Sequence, residues 1–156
     1  MGRVIMWIGV IGLLAFVGFA AFVRLAPSDA ARWHVEPLSV ADPGSQGAYL
    51  VRPEGGHMES PVFAMPPEAL LAAFDAVAMD APRVTRLAGS VAEGHVTYVA
   101  RSALWGFPDY ISVRTVPAEG GAQLAVFSRL RFGGSDMGVN RARIEEWMAA
   151  LPQGGA

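Results

Sequence analysis

The stretch from residue 128 to residue 143, SRLRFGGSDMGVNRAR, holds the densest group of side chains that could bind a ligand. Guanidinium groups bind anions through forked hydrogen bonds, and the free N–H groups at the start of a helix favour an anion in the same place. The stretch therefore predicts an anion pocket, to which Arg141 would add charge. Its candidate ligand-binding residues are Arg129, Arg131, Ser135, Asp136, Asn140 and Arg143.

A structural corner is the alternative interpretation of this stretch. Alternation places Arg129 and Arg131 on one strand face, and the glycines after them permit a tight turn into a helix. Ser135, Asp136 or Asn140 could then cap that helix, with Arg–Asp pairs holding the corner. The phosphate-binding patterns G-x-x-x-x-G-K-[ST] and G-x-G-x-x-G are both missing.

An aromatic turn lies between two strand patterns, in the string LWGFPDY of residues 104–110. Its residues of interest are Trp105, Phe107, Pro108 and Asp109. Aromatic side chains this close together either close one end of a core or contact lipid or a partner protein. The sequence leaves both possibilities open.

Catalytic chemistry has little support in the sequence. His34, His57 and His95 are isolated, there is no cysteine, and neither H-E-x-x-H nor G-x-S-x-G occurs. We therefore predict no catalytic residue, no metal site and no cofactor. The alternative is a hydrolase or isomerase that uses Asp109 or Asp136, but an acid–base carboxylate needs a raised pKa, and nearby arginines are expected to lower it.

Composition excludes several classes of protein. The 156 residues are 53% hydrophobic and 17% charged, which is too apolar for a disordered chain. The formal net charge of −2 argues against nucleic-acid binding. All twelve basic residues are arginine; eight of them lie in residues 83–143 with only four acids, whereas residues 25–82 carry two arginines and eight acids.

The N-terminal segment Val4–Val23 is uncharged and is flanked by Arg3 and Arg24. As a helix it would be about 30 Å long, the thickness of a bilayer's hydrocarbon core. We predict an uncleaved signal-anchor, with a cleaved signal peptide as the alternative. The favoured location is a single-pass protein of the bacterial inner membrane with a periplasmic domain. A glycine-rich face of the helix suits the further alternative of a structural accessory subunit in a membrane complex.

The remaining chain predicts a two-layer α+β domain. Proline and glycine recur in residues 25–59, which we interpret as a tether with local docking. Apolar spacing predicts helices over Pro67–Met79 and Asn140–Leu151, and period-two alternation predicts about four strands between them. Short connections favour an antiparallel sheet flanked by both helices on one face. The predicted divisions are an anchor (1–24), the tether (25–59), the domain (60–152) and a tail (153–156).

The Phe-Pro-Asp string of residues 107–109 and the pattern R-x-G-x-S-D-x-G-x-N-x-x-R of residues 131–143 resemble domain-of-unknown-function family 1499 over roughly residues 60–151. Leu130 stands where the family often has serine, which removes one hydroxyl from the pocket. The resemblance implies a protein of a kind found in bacteria and photosynthetic eukaryotes, often with an N-terminal span. It implies no activity.

Together these features predict a membrane-anchored domain that binds a partner protein or an acidic ligand beside the bilayer, without catalysis. The predicted contacts are the bilayer, through residues 4–23, and the anionic ligand or protein partner, through the arginine-rich corner.

Overall fold

The computed structural model describes residues 2–41, 43–44 and 46–152. Within these residues, four helices and six strands follow one another. They are α1 (Gly2–Leu25), α2 (Ala30–Trp33), β1 (Ala48–Arg52), β2 (Met58–Glu59), α3 (Pro67–Asp80), β3 (Val84–Ser90), β4 (His95–Arg101), β5 (Pro108–Ala118), β6 (Gly121–Leu130) and α4 (Val139–Ala149). The predicted tail, residues 153–156, lies outside the described residues.

The strands form one mixed sheet in the order β2-β1-β6-β5-β4-β3. All neighbours are antiparallel except β1 and β2, which are parallel. The prediction of about four antiparallel strands is therefore wrong in number and in type. The two additional strands, β1 and β2, come from the segment predicted as a tether. The frequent prolines and glycines there suggested irregular structure and hid the strand signal of a short apolar run. Leu50 and Val51 of β1 are fully buried, so this run belongs to the core.

Helices α3 and α4 cover the first face of the sheet, where the main hydrophobic core lies. Leu71 and Phe74 of α3 and Ile144 and Trp147 of α4 pack against alternate side chains of the strands. These sheet residues are Tyr49, Val51, Val96, Tyr98, Ala100, Ile111, Val113, Ala122, Leu124 and Val126. Both helices begin and end within a few residues of the predicted bounds, because their apolar spacing matches this packing.

The chain that follows α1 covers the second face of the sheet. The rings of Trp33 and Tyr110 stack with their centroids 4.0 Å apart, and those of His34 and His95 stack at 3.9 Å. The His34 Nδ1 and Thr97 Oγ1 atoms share a hydrogen bond of 2.8 Å. Part of the predicted tether is thus docked on the sheet, so each face has its own cover.

Helix α1 is apolar along its length and long enough to cross a membrane, a property that signal sequences share. Its central residues are exposed, whereas Val23 near its C-terminal end is almost fully buried against the rest of the chain. The end of α1 is therefore in contact with the α+β domain.

Candidate functional site

Arg129, the first residue of the predicted anion pocket, is buried on the second face of the sheet. Its guanidinium donates to the carbonyl oxygens of Trp33, Tyr110 and Phe127 and to Ser112 Oγ. Burial lowers the pKa of Arg129 to about 10, so the side chain is still charged at neutral pH. Its donors are engaged in joining the chain after α1 to the sheet.

Arg131 lies on the same face and is also engaged within the protein. Its Nη1 atom donates to the Pro27 carbonyl oxygen and to Tyr110 Oη, both at 3.0 Å. The guanidinium also lies 5.0 Å from the centre of the Phe132 ring. Arg131 therefore helps to fasten the end of α1 to the domain.

Arg143 lies on the first face, in a polar cluster with Asn140 and Asp109. Its Nη2 atom donates to Asp109 Oδ2 at 3.0 Å, and its Nη1 atom donates to Asn140 Oδ1 at 2.8 Å. Ser128 Oγ donates to the same Asn140 oxygen, while the buried Asn140 Nδ2 has no partner among the described residues. Arg143 is thus on the opposite side of the sheet from Arg129, so the predicted guanidinium groups do not converge.

Ser135 and Asp136 shape the turn that leads into α4. The two Asp136 carboxylate oxygens accept from the backbone N–H groups of Gly138 and Asn140, at 3.0 and 2.7 Å. Ser135 Oγ accepts from the Met137 N–H at 3.2 Å. Asp136 therefore satisfies free N–H groups at the start of α4, as the capping alternative requires.

The aromatic turn contacts α1. Trp105 packs edge-to-face on Phe16, with ring centroids 5.4 Å apart, and Phe107 lies 6.3 Å from Phe19. Phe132 adds a third contact, with Phe22, at 6.0 Å. Three aromatic pairs thus follow one side of the apolar helix. Pro108 and Asp109 begin β5 behind this turn and are buried.

An open cleft of about 480 Å³ lies where α1 meets the domain. Phe19 of α1 lines it together with Phe107 and Phe132 of the domain. The other lining residues are Ser102, Asp109, Leu130, Gly133, Ser135, Asp136, Met137 and Val139. The cleft therefore has mainly apolar walls and two carboxylates, and it brings together Phe107, Asp109, Ser135 and Asp136 of the predicted sites.

Asp109 is a buried acid at the edge of this cleft. Burial raises its pKa above the usual value, although the adjacent Arg143 lowers it in part. Arg143 acts on the Asp109 pKa in the direction expected of a nearby arginine, but loss of hydration outweighs the ion pair, so the net shift is upward.

Sequence reasoning missed a second group of arginines near the end of α1. Arg24, Arg83 and Arg101 line one groove beside the aromatic turn, although they are far apart in sequence. No spacing rule connects them, because the fold alone brings β3, β4 and the end of α1 together. Within the described residues, no group of three or more His, Cys, Asp or Glu side chains could hold a metal ion.

A family model described as "Protein of unknown function (DUF1499)" matches residues 30–151. This range is longer than the residues 60–151 that carry the resemblance in the sequence, and it includes α2, β1 and β2. No curated protein and no solved structure matches the chain.

Proposed function

This chain belongs to the DUF1499 family, whose function is unknown. We propose that it is a single-span membrane protein whose domain binds a ligand beside the bilayer without catalysis. The ligand that fits best is apolar, such as a lipid acyl chain. One observation carries the proposal: the cleft has one wall from the membrane helix, Phe19, and facing walls from the domain, Phe107 and Phe132.

A cleft at this junction is within reach of molecules dissolved in the bilayer. Phe19 belongs to the uncharged stretch of α1 and is half exposed, so lipid chains that surround the helix can reach it laterally. Each square ångström of apolar surface buried there contributes about 25 cal/mol. Pockets with mostly apolar walls and a few polar groups are typical binding sites for small molecules.

An acidic ligand is less suited to this cleft, because its charged lining groups are Asp109 and Asp136. Arg129 and Arg143 are engaged with carbonyl oxygens and with Asp109 on opposite faces of the sheet, and Arg131 donates to the Pro27 carbonyl oxygen and to Tyr110 Oη. The predicted corner therefore does not gather the three guanidinium groups into one pocket. A protein partner, a periplasmic domain and a bacterial inner-membrane location stay predictions.

Photolabelling of the full-length protein in membranes tests the proposal. A diazirine-bearing fatty acid is added, the membranes are irradiated, and labelled residues are identified by mass spectrometry. We expect labels on the segments that contain Phe107 and Phe132, and we expect the double change Phe107→Ala with Phe132→Ala to reduce them several-fold.

The matched control is Leu38→Ala with Val62→Ala, which removes exposed apolar side chains outside the cleft. Labelling of residues 102–139 should be unchanged in this control. If the label is confined to α1 in the wild-type protein, the cleft does not bind acyl chains and the proposal is wrong.

Acid–base catalysis, as in a hydrolase or isomerase, is the second candidate. The observation that favours it is the position of Asp109, a carboxyl group with a raised pKa, in an apolar cleft that also contains Asp136. Such a carboxyl group keeps its proton at a higher pH than an ordinary aspartic acid does, which is what a general acid requires. A turnover of an ester or lipid substrate that Asp109→Asn abolishes, with unfolding temperature preserved, would place catalysis ahead of simple binding.

A further inference from the structure

The groove beside the aromatic turn is lined by three arginines that come from distant parts of the chain. Arg24 lies in the last turn of α1, Arg83 precedes β3 and Arg101 ends β4. Thr85 and Ser102 also line the groove, whose volume is about 390 Å³. Hydroxyl and guanidinium groups in one concave site are the donors that bind phosphate oxygens.

None of these arginines is neutralised by a carboxylate within the described part of the chain. Arg24 Nη2 donates to the Leu104 carbonyl oxygen at 2.9 Å, and Arg101 Nη1 donates to that of Gly106 at 2.9 Å. Arg83 Nε donates to the Arg101 carbonyl oxygen at 3.2 Å. No carboxylate therefore offsets the positive charge of these guanidinium groups, and each has most of its N–H donors left over, in contrast to Arg143, which is paired with Asp109.

The backbone at the groove is adapted to this arrangement. Arg83 has φ +61°, a left-handed conformation that is unfavourable for a residue with a side chain, and the Arg101 N–H donates to its carbonyl oxygen at 3.1 Å. Gly106 has φ +73°, and a Cβ atom there would lie 3.1 Å from Arg24 Cγ. The turn is thus shaped to let the Arg24 side chain lie across it.

The groove lies at the level where the apolar part of α1 ends. Arg24 is the first charged residue after the uncharged stretch, and Trp105 of the adjoining turn contacts Phe16 within that stretch. If α1 crosses a bilayer, Arg24 stands at the height of the lipid headgroups, and Arg83 and Arg101 lie beside it in the same groove.

From this placement we infer that the groove of Arg24, Arg83 and Arg101 is a binding site for the phosphate of an anionic lipid headgroup. The inference rests on the proposed anchoring by α1 and names a second ligand group beside the acyl-chain cleft. The phosphate accepts hydrogen bonds from the guanidinium groups and from the Thr85 and Ser102 hydroxyls, and no bond is made or broken.

The experiment uses the full-length protein in nanodiscs of phosphatidylcholine with or without phosphatidylglycerol. Retention of phosphatidylglycerol is measured by native mass spectrometry, and inorganic phosphate is titrated in a parallel arm. Each arginine near an anionic lipid surface strengthens binding by electrostatic attraction. Loss of two such charges in Arg83→Gln with Arg101→Gln should therefore weaken phosphatidylglycerol binding about thirtyfold. The charge-matched control, Arg32→Gln with Arg141→Gln, should bind like the wild type.

Preferential retention of phosphatidylglycerol that is lost only in the groove variant supports the inference. Groove-dependent binding of inorganic phosphate with no lipid preference would overturn the lipid source. Equal retention of the two lipids by the wild-type protein, without phosphate binding, would overturn the site altogether, even if the double variant does not fold. Extraction of the protein from membranes by alkaline carbonate is a separate readout and would contradict the anchoring instead.

Discussion

The indole of Trp33 lies flat on the phenol ring of Tyr110, with centroids 4.0 Å apart and 9° between the planes. This contact joins the chain that follows α1 to a central strand of the sheet. The Trp33 carbonyl oxygen also accepts from Arg129 and from Ser112 Oγ. The segment after α1 is therefore part of the folded domain.

Loss of the Trp33 ring should destabilise the domain. We expect Trp33→Ala to reduce the free energy of unfolding by about 2 kcal/mol, less than for a fully buried tryptophan, because the ring is only half buried. Trp33→Phe retains a ring on Tyr110 and should cost less than half as much. Urea denaturation measures both, and equal losses in the two variants would contradict a role for stacking.

Arg129 should contribute strongly to the stability of the folded domain. Arg129→Leu removes the donor to several buried carbonyl oxygens, and we expect it to reduce the free energy of unfolding by about 3 kcal/mol. The exposed Arg32 is the control, and Arg32→Leu should change stability by less than about 0.5 kcal/mol. A stable Arg129→Leu protein that has lost anion binding would instead support the anion pocket predicted from the sequence.

Arg143→Leu should destabilise the protein, because it leaves the buried Asp109 carboxylate without its ion-pair partner. Without its partner, the pKa of Asp109 should rise further above the normal value, and the protein should lose about 3 kcal/mol of stability. The neighbouring exposed pair of Arg141 and Glu145 provides the control, since solvent screens this pair and Arg141→Leu should leave the stability almost unchanged. NMR titration of the carboxyl carbon and urea denaturation measure the two effects; a lower pKa in the variant would contradict the pairing.

His95 should make stability depend on pH. Burial and the adjacent His34 lower the pKa of His95, although Glu36 raises it in part. The unfolded chain takes up this proton near pH 6.5, whereas the folded protein resists it. Stability from neutral His95 is therefore present above about pH 6.5 and is lost as the pH falls toward the lower folded-state pKa.

His95→Gln tests this origin of the pH dependence, because an amide can still donate to the Val35 carbonyl oxygen, which now lies 3.0 Å from His95 Nε2. Thermal unfolding across the acid range should show a smaller loss in the variant than in the wild type. An identical loss in both proteins would show that His95 is not the origin of the pH dependence.

The contact between α1 and the aromatic turn can be measured by cross-linking, since the chain has no native cysteine. We expect Phe19→Cys with Phe107→Cys to be joined efficiently by a short bismaleimide in membranes, because their rings lie 6.3 Å apart. Val17→Cys with Phe107→Cys is the control, as Val17 faces about the opposite side of the helix. Equal yields from the two pairs would show that the domain moves freely relative to α1.

The regular elements could be predicted where one periodicity dominates. Residues Pro67–Asp80 have the spacing of an amphipathic helix, and alternation identified most of β4, β5 and β6. β1 was harder to identify because five residues between prolines and glycines carry too little periodic signal. The short pairing of β1 with β2 is parallel and depends on a turn that no sequence pattern specifies.

The site was less predictable than the fold. Alternation placed Arg129 and Arg131 on one face as expected, but it did not indicate that Arg129 meets Trp33, 96 residues earlier. The groove of Arg24, Arg83 and Arg101 is likewise a product of long-range packing. A sequence reveals which side chains are charged, whereas their hydrogen-bond partners are settled only when distant segments meet.

The docking of the segment after α1 limits how far the domain can travel. Arg131 donates to the Pro27 carbonyl oxygen, and Trp33 lies on the sheet. The segment between α1 and the domain is therefore held in place and does not act as a flexible linker. With α1 in a bilayer, as we propose, a domain held this way keeps a constant height and tilt above the lipid. It would meet other molecules by diffusing sideways within the membrane plane, and those that never approach the surface would be out of its reach.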